Sequence, residues 1–263
     1  MLHLAESYEF GRGTAKNPAE AMKWYLKAAK AEENAYILAV VGDHYFYGKC
    51  CEKDGAEAMK YYRRSSAMGR AWASQMLGYC YESAVGTAKD QKEALKWFRD
   101  AADKGLDWGI SRVGEYLFNG WGTDKNVEEG IRLLKRSADM GNWRSVEILE
   151  DAYWHGNGVA KDRKEAFKWA MRRTETAPGG FSYCNMGDYY RFAWGVPQDD
   201  KKALEWYKKS SDTGYANAQY NIGVYYLEGK AGLPLDKLKG IEWLMKASAG
   251  GCKVATEKLN KIG

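Results

Sequence analysis

The sequence predicts an all-α protein built as a solenoid of two-helix units, and three regularities carry that reading. Trp24, Tyr61, Trp97, Leu133, Trp169, Trp206 and Trp243 follow one another at spacings of 37, 36, 36, 36, 37 and 37 residues. Seven residues before each stands Asn17, Asp54, Asp90, Asn126, Asp162, Asp199 or Asp236. A glycine recurs on the segment before that, at Gly42, Gly78, Gly114, Gly187 and Gly223. A fixed period of this size, repeated seven times with hardly an insertion, is the signature of stacked helical repeats.

The second helix of each unit, B, is the easier to read. Asp and Asn accept hydrogen bonds from the first free N–H groups of a helix, so the seven markers are expected N-caps. Glu20, Glu57, Glu93, Glu129 and Glu165 follow three residues later and predict capping boxes in five units. Pro18 occupies a first helical position, where its missing N–H costs nothing. Helix B is expected to stop near Gly69, Gly105, Gly141 and Gly214. Its small pairs, Ala28-Ala29, Ser65-Ser66, Ala101-Ala102 and Ser210-Ser211, suit a face packed on the partner helix.

The first helix, A, carries the glycine and then, three positions on, Tyr45, Tyr81, Leu117, Tyr153, Tyr190 and Tyr226. Glycine inside a helix costs about 1 kcal/mol relative to alanine, so its recurrence predicts close approach of a neighbouring helix. Glycine-rich turns such as Gly11-Arg-Gly13, Gly120-Trp-Gly122 and Gly156-Asn-Gly158 join A to B. Helix A of the first unit starts late in its repeat, so either the natural chain extends upstream or it begins at Met1. At the other end, residues 251–262 read as an extra helix whose Lys253, Glu257, Lys258 and Lys261 supply the polar outer face of a cap.

Asn217-Ala-Gln-Tyr-Asn-Ile-Gly-Val-Tyr-Tyr-Leu-Glu-Gly229 and Asp199-Asp-Lys-Lys-Ala-Leu-Glu-Trp-Tyr207 resemble the pattern of the Sel-one-like repeats (SLR), relatives of the tetratricopeptide repeat. The resemblance covers essentially the whole chain. It implies a single right-handed α-solenoid domain of seven units, approximately 1–34, 35–70, 71–106, 107–142, 143–179, 180–215 and 216–252, with a capping helix at 253–262. It also implies adaptor and assembly roles. A secreted branch of that family pairs two cysteines within each repeat and has been linked to β-lactam binding; that cysteine pattern is absent here.

Composition narrows the function classes. Of the 263 residues 45% are apolar and 29% charged, the balance of a folded globular chain. No apolar run approaches the roughly 20 residues of a membrane-spanning helix, so no membrane insertion is expected. The net charge of +5 comes from scattered Lys and Arg without a block of like charge, which argues against a nucleic-acid partner. Cys50, Cys51, Cys80, Cys184 and Cys252 form an odd, irregular set, which favours a reducing compartment and the cytoplasm. The opening residues lack the features of a signal peptide; a truncated exported protein is the other case.

Nothing in the sequence marks an enzyme. His3, His44 and His155 lie far apart and form no metal-ligand motif, Cys50-Cys51 reads as an incidental pair, and no phosphate loop or nucleophile elbow appears. No catalytic, cofactor or metal residue is assigned. The helix B tryptophans, being in register, are expected to pack between units, and Lys23, Lys96, Lys168 and Lys208 to line an outer solvated face.

The remaining signal lies on helix A, which in a tetratricopeptide-like stack lines the concave face. The residue after the helix A glycine position is Glu6, Asp43, Tyr79, Glu115, Asp151, Asp188 and Val224, five of seven acidic. A column of like charges is not something the repeat is expected to need, which invites a functional reading. Aromatics accompany it at Tyr47, Trp72, Trp108, Phe118, Trp154 and Phe192, with His155 nearby. Asp43, Tyr47, Trp72, Tyr79, Trp108, Glu115, Phe118, Asp151, Trp154, His155, Asp188 and Phe192 therefore form the candidate partner-binding set. The expected ligand is a protein segment rich in Lys, Arg or aromatic residues, steered by the acids and held by the rings. The alternative is a glycan bound or cleaved by the same rings and carboxylates. A basic outer face on an anionic surface ranks last.

Unit five breaks the pattern. Glu150 replaces the helix A glycine and Arg173-Thr174 replace the small pair of helix B. A larger residue at that crossing is expected to splay the two helices and to put Asp151, Trp154 and His155 near the centre of the groove.

Overall fold

All seven Asp and Asn markers cap a helix. Their side chains accept hydrogen bonds from backbone N–H groups two or three residues on, as Asn17 does from Glu20 and Asp54 from Glu57. The computed structural model describes residues 1–262, and these fold into fifteen helices: α1 (Leu2–Phe10), α2 (Pro18–Ala31), α3 (Ala35–Tyr47), α4 (Gly55–Ala67), α5 (Ala71–Glu82), α6 (Gln91–Asp103), α7 (Asp107–Asn119), α8 (Val127–Asp139), α9 (Trp143–His155), α10 (Arg163–Thr176), α11 (Gly180–Arg191), α12 (Asp200–Ser211), α13 (Ala216–Glu228), α14 (Lys237–Ala249) and α15 (Lys253–Ile262). Odd-numbered helices up to α13 are the A helices and even-numbered ones the B helices. The chain is an all-α solenoid of seven repeats with α15 as the terminal helix.

The expected capping boxes form only by half. The five N3 glutamates do not reach back; Glu20, Glu57, Glu93, Glu129 and Glu165 instead pair with Lys23, Lys60, Lys96, Arg132 and Lys168 one turn on. The N-cap N–H is already taken by a helix A carbonyl: Asp54 donates to Tyr45, Asp90 to Tyr81, Asn126 to Leu117 and Asp162 to Tyr153, at 2.8–3.0 Å. The other three units make the same bond. One backbone bond thus closes every A–B turn and fixes the angle at which B folds back.

The chain divides into two compact units, residues 1–140 and the part from Gly141 on, holding α1–α8 and α9–α15. In the first, Tyr25, Tyr62, Phe98 and Leu134 of the B helices are fully buried together with Leu38, Leu77 and Tyr116 of the A helices. In the second, Tyr207 and Leu244 play the B role and Leu149, Tyr189 and Tyr225 the A role.

The helix A glycine makes room for those B side chains. A Cβ built on Gly42 stands 2.6 Å from the Tyr62 ring, and Gly78 and Gly187 stand as tightly against Phe98 and Tyr207. In unit five, where Glu150 replaces the glycine, Ala170 replaces the large B residue, and both are buried. The bulk has changed sides of the crossing.

The serines of helix B hold its far end. Ser65 donates to the carbonyl of Ala35 at 2.6 Å, Ser137 to Asp107 at 2.8 Å and Ser210 to Gly180 at 2.6 Å. The helix B tryptophans are half-buried, and Lys27, Lys209 and Lys246 cover the rings of Trp24, Trp206 and Trp243 at 4.3–5.0 Å. Lys23, Lys96, Lys168 and Lys208 are exposed.

Candidate functional site

The acidic positions of helix A do not share one environment. Asp43 on α3 accepts from the Tyr62 hydroxyl at 2.7 Å and lies 3.4 Å from the Trp72 indole nitrogen. Asp188 on α11 accepts from the Tyr207 hydroxyl at 2.6 Å, and burial pushes its carboxyl above the usual range against that bond. Both tyrosines follow the register position of helix B by one residue. This corrects the expectation that the repeat has no need of a carboxylate: a buried tyrosine hydroxyl requires an acceptor, and the residue after the glycine is placed to supply it. Where the B residue is Phe98 or Leu244, the A position is Tyr79 or Val224. In unit one the Tyr25 hydroxyl donates to Glu9 instead, at 2.6 Å, and Glu6 is half-buried beside His3.

Glu115 is a second correction. It is only 6% exposed and pairs with Arg112, which also pairs with Glu82 and lies over the rings of Phe98 and Tyr116. Its charge is neutralised beneath the surface, so it offers no open carboxylate. Asp151 is the exposed one, 3.4 Å from His155 Nε2 on the next turn.

The aromatics fare differently. In the first unit a recess of about 460 Å³ opens across α3, α5 and α7, lined by Phe46, Tyr47, Trp72, Tyr79 and Trp108 with Met76 beneath. Four residues of the candidate set meet there. Tyr47 and Trp72 are exposed, and Phe46 packs edge-on to Tyr47 at 4.8 Å. Gln75 and Ser83 complete the lining; Gln75 is 3% exposed, and its Oε1 has no hydrogen-bond partner. Phe118 is half-buried and does not line this recess.

In the second unit Asp151, Trp154 and Asp188 line a recess of about 380 Å³ around Glu150. Glu150 accepts from Arg173 at 3.2 Å, Asn185 at 2.7 Å and Tyr189 at 3.3 Å, while burial still pushes its carboxyl upward. Trp154 meets Trp194 edge-on at 4.6 Å and carries the Arg163 guanidinium over its ring at 3.2 Å. His155 is exposed beside Asp151 and is not part of that lining. Phe192 stacks on Trp194 and borders a neighbouring recess of about 470 Å³ with Asp188 and Arg191.

One cluster escaped the sequence. Glu9, His44 and Cys50 bring a carboxylate oxygen, a ring nitrogen and a thiol within 4.8 Å of one another. They sit in consecutive repeats, so no short motif joins them. The available signal was His44 itself, two residues after the glycine, where five other units place Cys80, Tyr116, Ala152, Tyr189 and Tyr225 on the buried face. All five cysteines are free.

The model of the Sel1 repeat matches this chain seven times, over residues 1–32, 35–69, 73–106, 109–142, 151–170, 180–215 and 216–252. The chain belongs to the Sel1 repeat family. Sel1 repeats are generally a non-catalytic scaffold that mediates protein–protein interaction. The short fifth match, which starts at Asp151, falls on the unit whose glycine is replaced by Glu150. A Sel1 repeat protein from Oxalobacter formigenes is 25% identical with a TM-score of 0.79, over all of this chain and 75% of that one. The protein c5321, a protective antigen of uropathogenic Escherichia coli strains with an SLR fold, is 26% identical with a TM-score of 0.78. The match covers 99% of this chain, which spans just over half, 56%, of c5321. A repeat-containing protein from Cytophaga hutchinsonii, 15% identical with a TM-score of 0.53 over 95% of each chain, shares the fold alone. No match was found among curated proteins. Among the described residues no helix is long and apolar enough to cross a membrane.

Proposed function

We propose that this Sel1 repeat protein is a non-enzymatic adaptor that takes a protein segment through the aromatic recess of α3, α5 and α7. The segment carries an aromatic or apolar anchor flanked by Lys or Arg. The observation that carries the reading is the recess itself: exposed Tyr47 and Trp72 beside an unpartnered, buried Gln75 carbonyl oxygen. Rings supply contact area at low entropic cost and dominate such interfaces. Gln75 Oε1 gives a ligand N–H an acceptor that is otherwise unused, and Asp43 at the rim places a negative charge for the flanking cation.

A glycan is supported less well by the same recess. Beyond the Tyr hydroxyls and Trp N–H groups of the rings, Gln75 and Ser83 are the polar side chains among its lining and no carboxylate is, whereas a sugar presents a hydroxyl at nearly every carbon and needs many directional bonds. A polyanion on the outer face is supported less still, because five of the basic side chains there are paired with a glutamate one turn earlier. The odd, irregular set of cysteines fits a reducing compartment, and on that ground we propose the cytoplasm.

Selection of displayed peptides on the intact protein tests the reading. Enriched peptides are expected to share an aromatic or Leu anchor with a neighbouring Lys or Arg, and to bind Trp72→Ala and Tyr47→Ala at least tenfold more weakly. No enrichment, or equal binding to both variants, overturns it.

A further inference from the structure

We propose that Glu9, His44 and Cys50 bind one divalent cation of the zinc class and so clamp the first repeat to the second. Glu9 lies in the last turn of α1, His44 lies on α3, and Cys50 sits in the turn that leads from α3 to α4. Their three donor atoms lie within 4.8 Å of one another, and His44 Nε2 is 3.7 Å from Glu9 Oε2. Bonds of about 2.0–2.3 Å at tetrahedral angles set donors roughly 3.3–3.7 Å apart, so closing on an ion takes a movement of about 1 Å.

Two further observations point to a ligand here. His44 is 3% exposed, and neither of its ring nitrogens has a hydrogen-bond partner. Buried polar atoms are nearly always satisfied, and an imidazole with both nitrogens idle is a standing cost, which a metal bond removes at one of the two. The surroundings are also arranged as they are around metal sites. The Tyr25 hydroxyl donates to Glu9 Oε2 at 2.6 Å and orients the carboxylate, and the Tyr25 ring lies 4.7 Å from the His44 ring. Cys50 belongs to the same buried apolar cluster as Ala5, Met22, Tyr25, Leu38 and Val41.

The donor set selects the ion. A thiolate, an imidazole and one carboxylate form a borderline-soft set that favours zinc over calcium or magnesium, which take oxygen. Three protein ligands leave the fourth position to water on the side of Glu9, the least buried of the three. On binding, Cys50 gives its thiol proton to solvent and the sulfur lone pair to the ion. No electron is transferred. Glu6 and Asp43 add negative charge nearby, Lys16 and Lys49 positive charge.

Cobalt(II) titration of the full chain, kept reduced with a phosphine, tests the site, because only a cobalt–thiolate bond gives an intense near-ultraviolet charge-transfer band. The expected result is one equivalent of cobalt with that band, displaced by zinc. Zinc is also expected to raise the melting temperature of the native chain. Cys50→Ser loses the band and the shift, whereas Cys51→Ser keeps both, and Tyr25→Phe weakens binding about tenfold. No band, or a band unchanged in Cys50→Ser and therefore owed to another thiol, overturns the proposal. Because serine is nearly isosteric with cysteine, circular dichroism of Cys50→Ser separates loss of the site from loss of the fold.

Discussion

The Tyr62 hydroxyl on α4 donates to Asp43 on α3 at 2.7 Å, and Tyr207 on α12 repeats the bond to Asp188 on α11 at 2.6 Å. In each unit the tyrosine ring lies against the glycine that precedes the aspartate, so glycine, acid and tyrosine form one device. The glycine admits the ring and the acid satisfies its hydroxyl. Part of the acidic column on helix A is therefore a requirement of packing.

The bond makes a measurable pair. Tyr62→Phe is expected to cost about 1–2 kcal/mol, since a hydrogen bond to a carboxylate is lost while the ring stays. Asp43→Asn keeps an acceptor and is expected to cost less. In a double-mutant cycle by chemical denaturation the two changes should fall short of adding. Additive effects would mean that the hydroxyl and the carboxylate do not interact in solution.

Asp188 gives the pair a pH signature. Burial raises its folded-state pKa above the ordinary 3.8. The folded state therefore holds the proton more tightly than the unfolded one, and the contribution is fully present below pH 3.8 and lost as pH rises through the raised value. Asp188→Asn removes this dependence, so its stability should fall less than that of the native protein as pH is raised from about 4 towards neutrality. Parallel curves for the two proteins, recorded as denaturation midpoint against pH, would discard this account.

Gly78→Ala puts a methyl group into the Phe98 ring, and overpacking at such a crossing costs about 1–3 kcal/mol. Phe98→Leu alone leaves a void. Together they copy the Gly114–Leu134 crossing of unit four with one methyl more, and the double variant is expected to lie closer to the native protein than the sum of the singles. Unit five, with Glu150 opposite Ala170, already shows the full exchange. Melting curves of the three variants decide it.

The repeat, its N-caps and the close crossings were legible because they recur, the caps in seven units and the helix A glycine in five, and a periodic signal survives single exceptions. The second half of the capping box was not, because the Asp54 N–H is claimed by the Tyr45 carbonyl, a bond between helices that composition does not encode. The candidate site was legible in its rings: Tyr47, Trp72, Tyr79 and Trp108 do meet. Its acids were less legible, since a residue's place on helix A does not reveal whether Tyr62 or Arg112 waits opposite. Glu9, His44 and Cys50 were invisible for the opposite reason, being a single occurrence spread over two repeats.

Arg112 is where the packing role of a helix A acid is easiest to test. It is buried, pairs with both Glu82 and Glu115, and lies over the rings of Phe98 and Tyr116. Arg112→Ala strips a buried cation from two carboxylates, and removing one partner of such a network costs about 3–5 kcal/mol. Adding Glu115→Gln to it removes one of the stranded charges and should recover part of that loss, the reverse of what an open docking acid would do. For an acid that met a ligand, Glu115→Gln alone would weaken peptide binding and leave folding intact. For the acid seen here, it is expected to lower the denaturation midpoint and leave the affinity of the folded protein for a recess-binding peptide within about twofold, while Trp72→Ala does the converse. Denaturation and titration of the same two variants therefore separate the packing role of Glu115 from the contact role of Trp72.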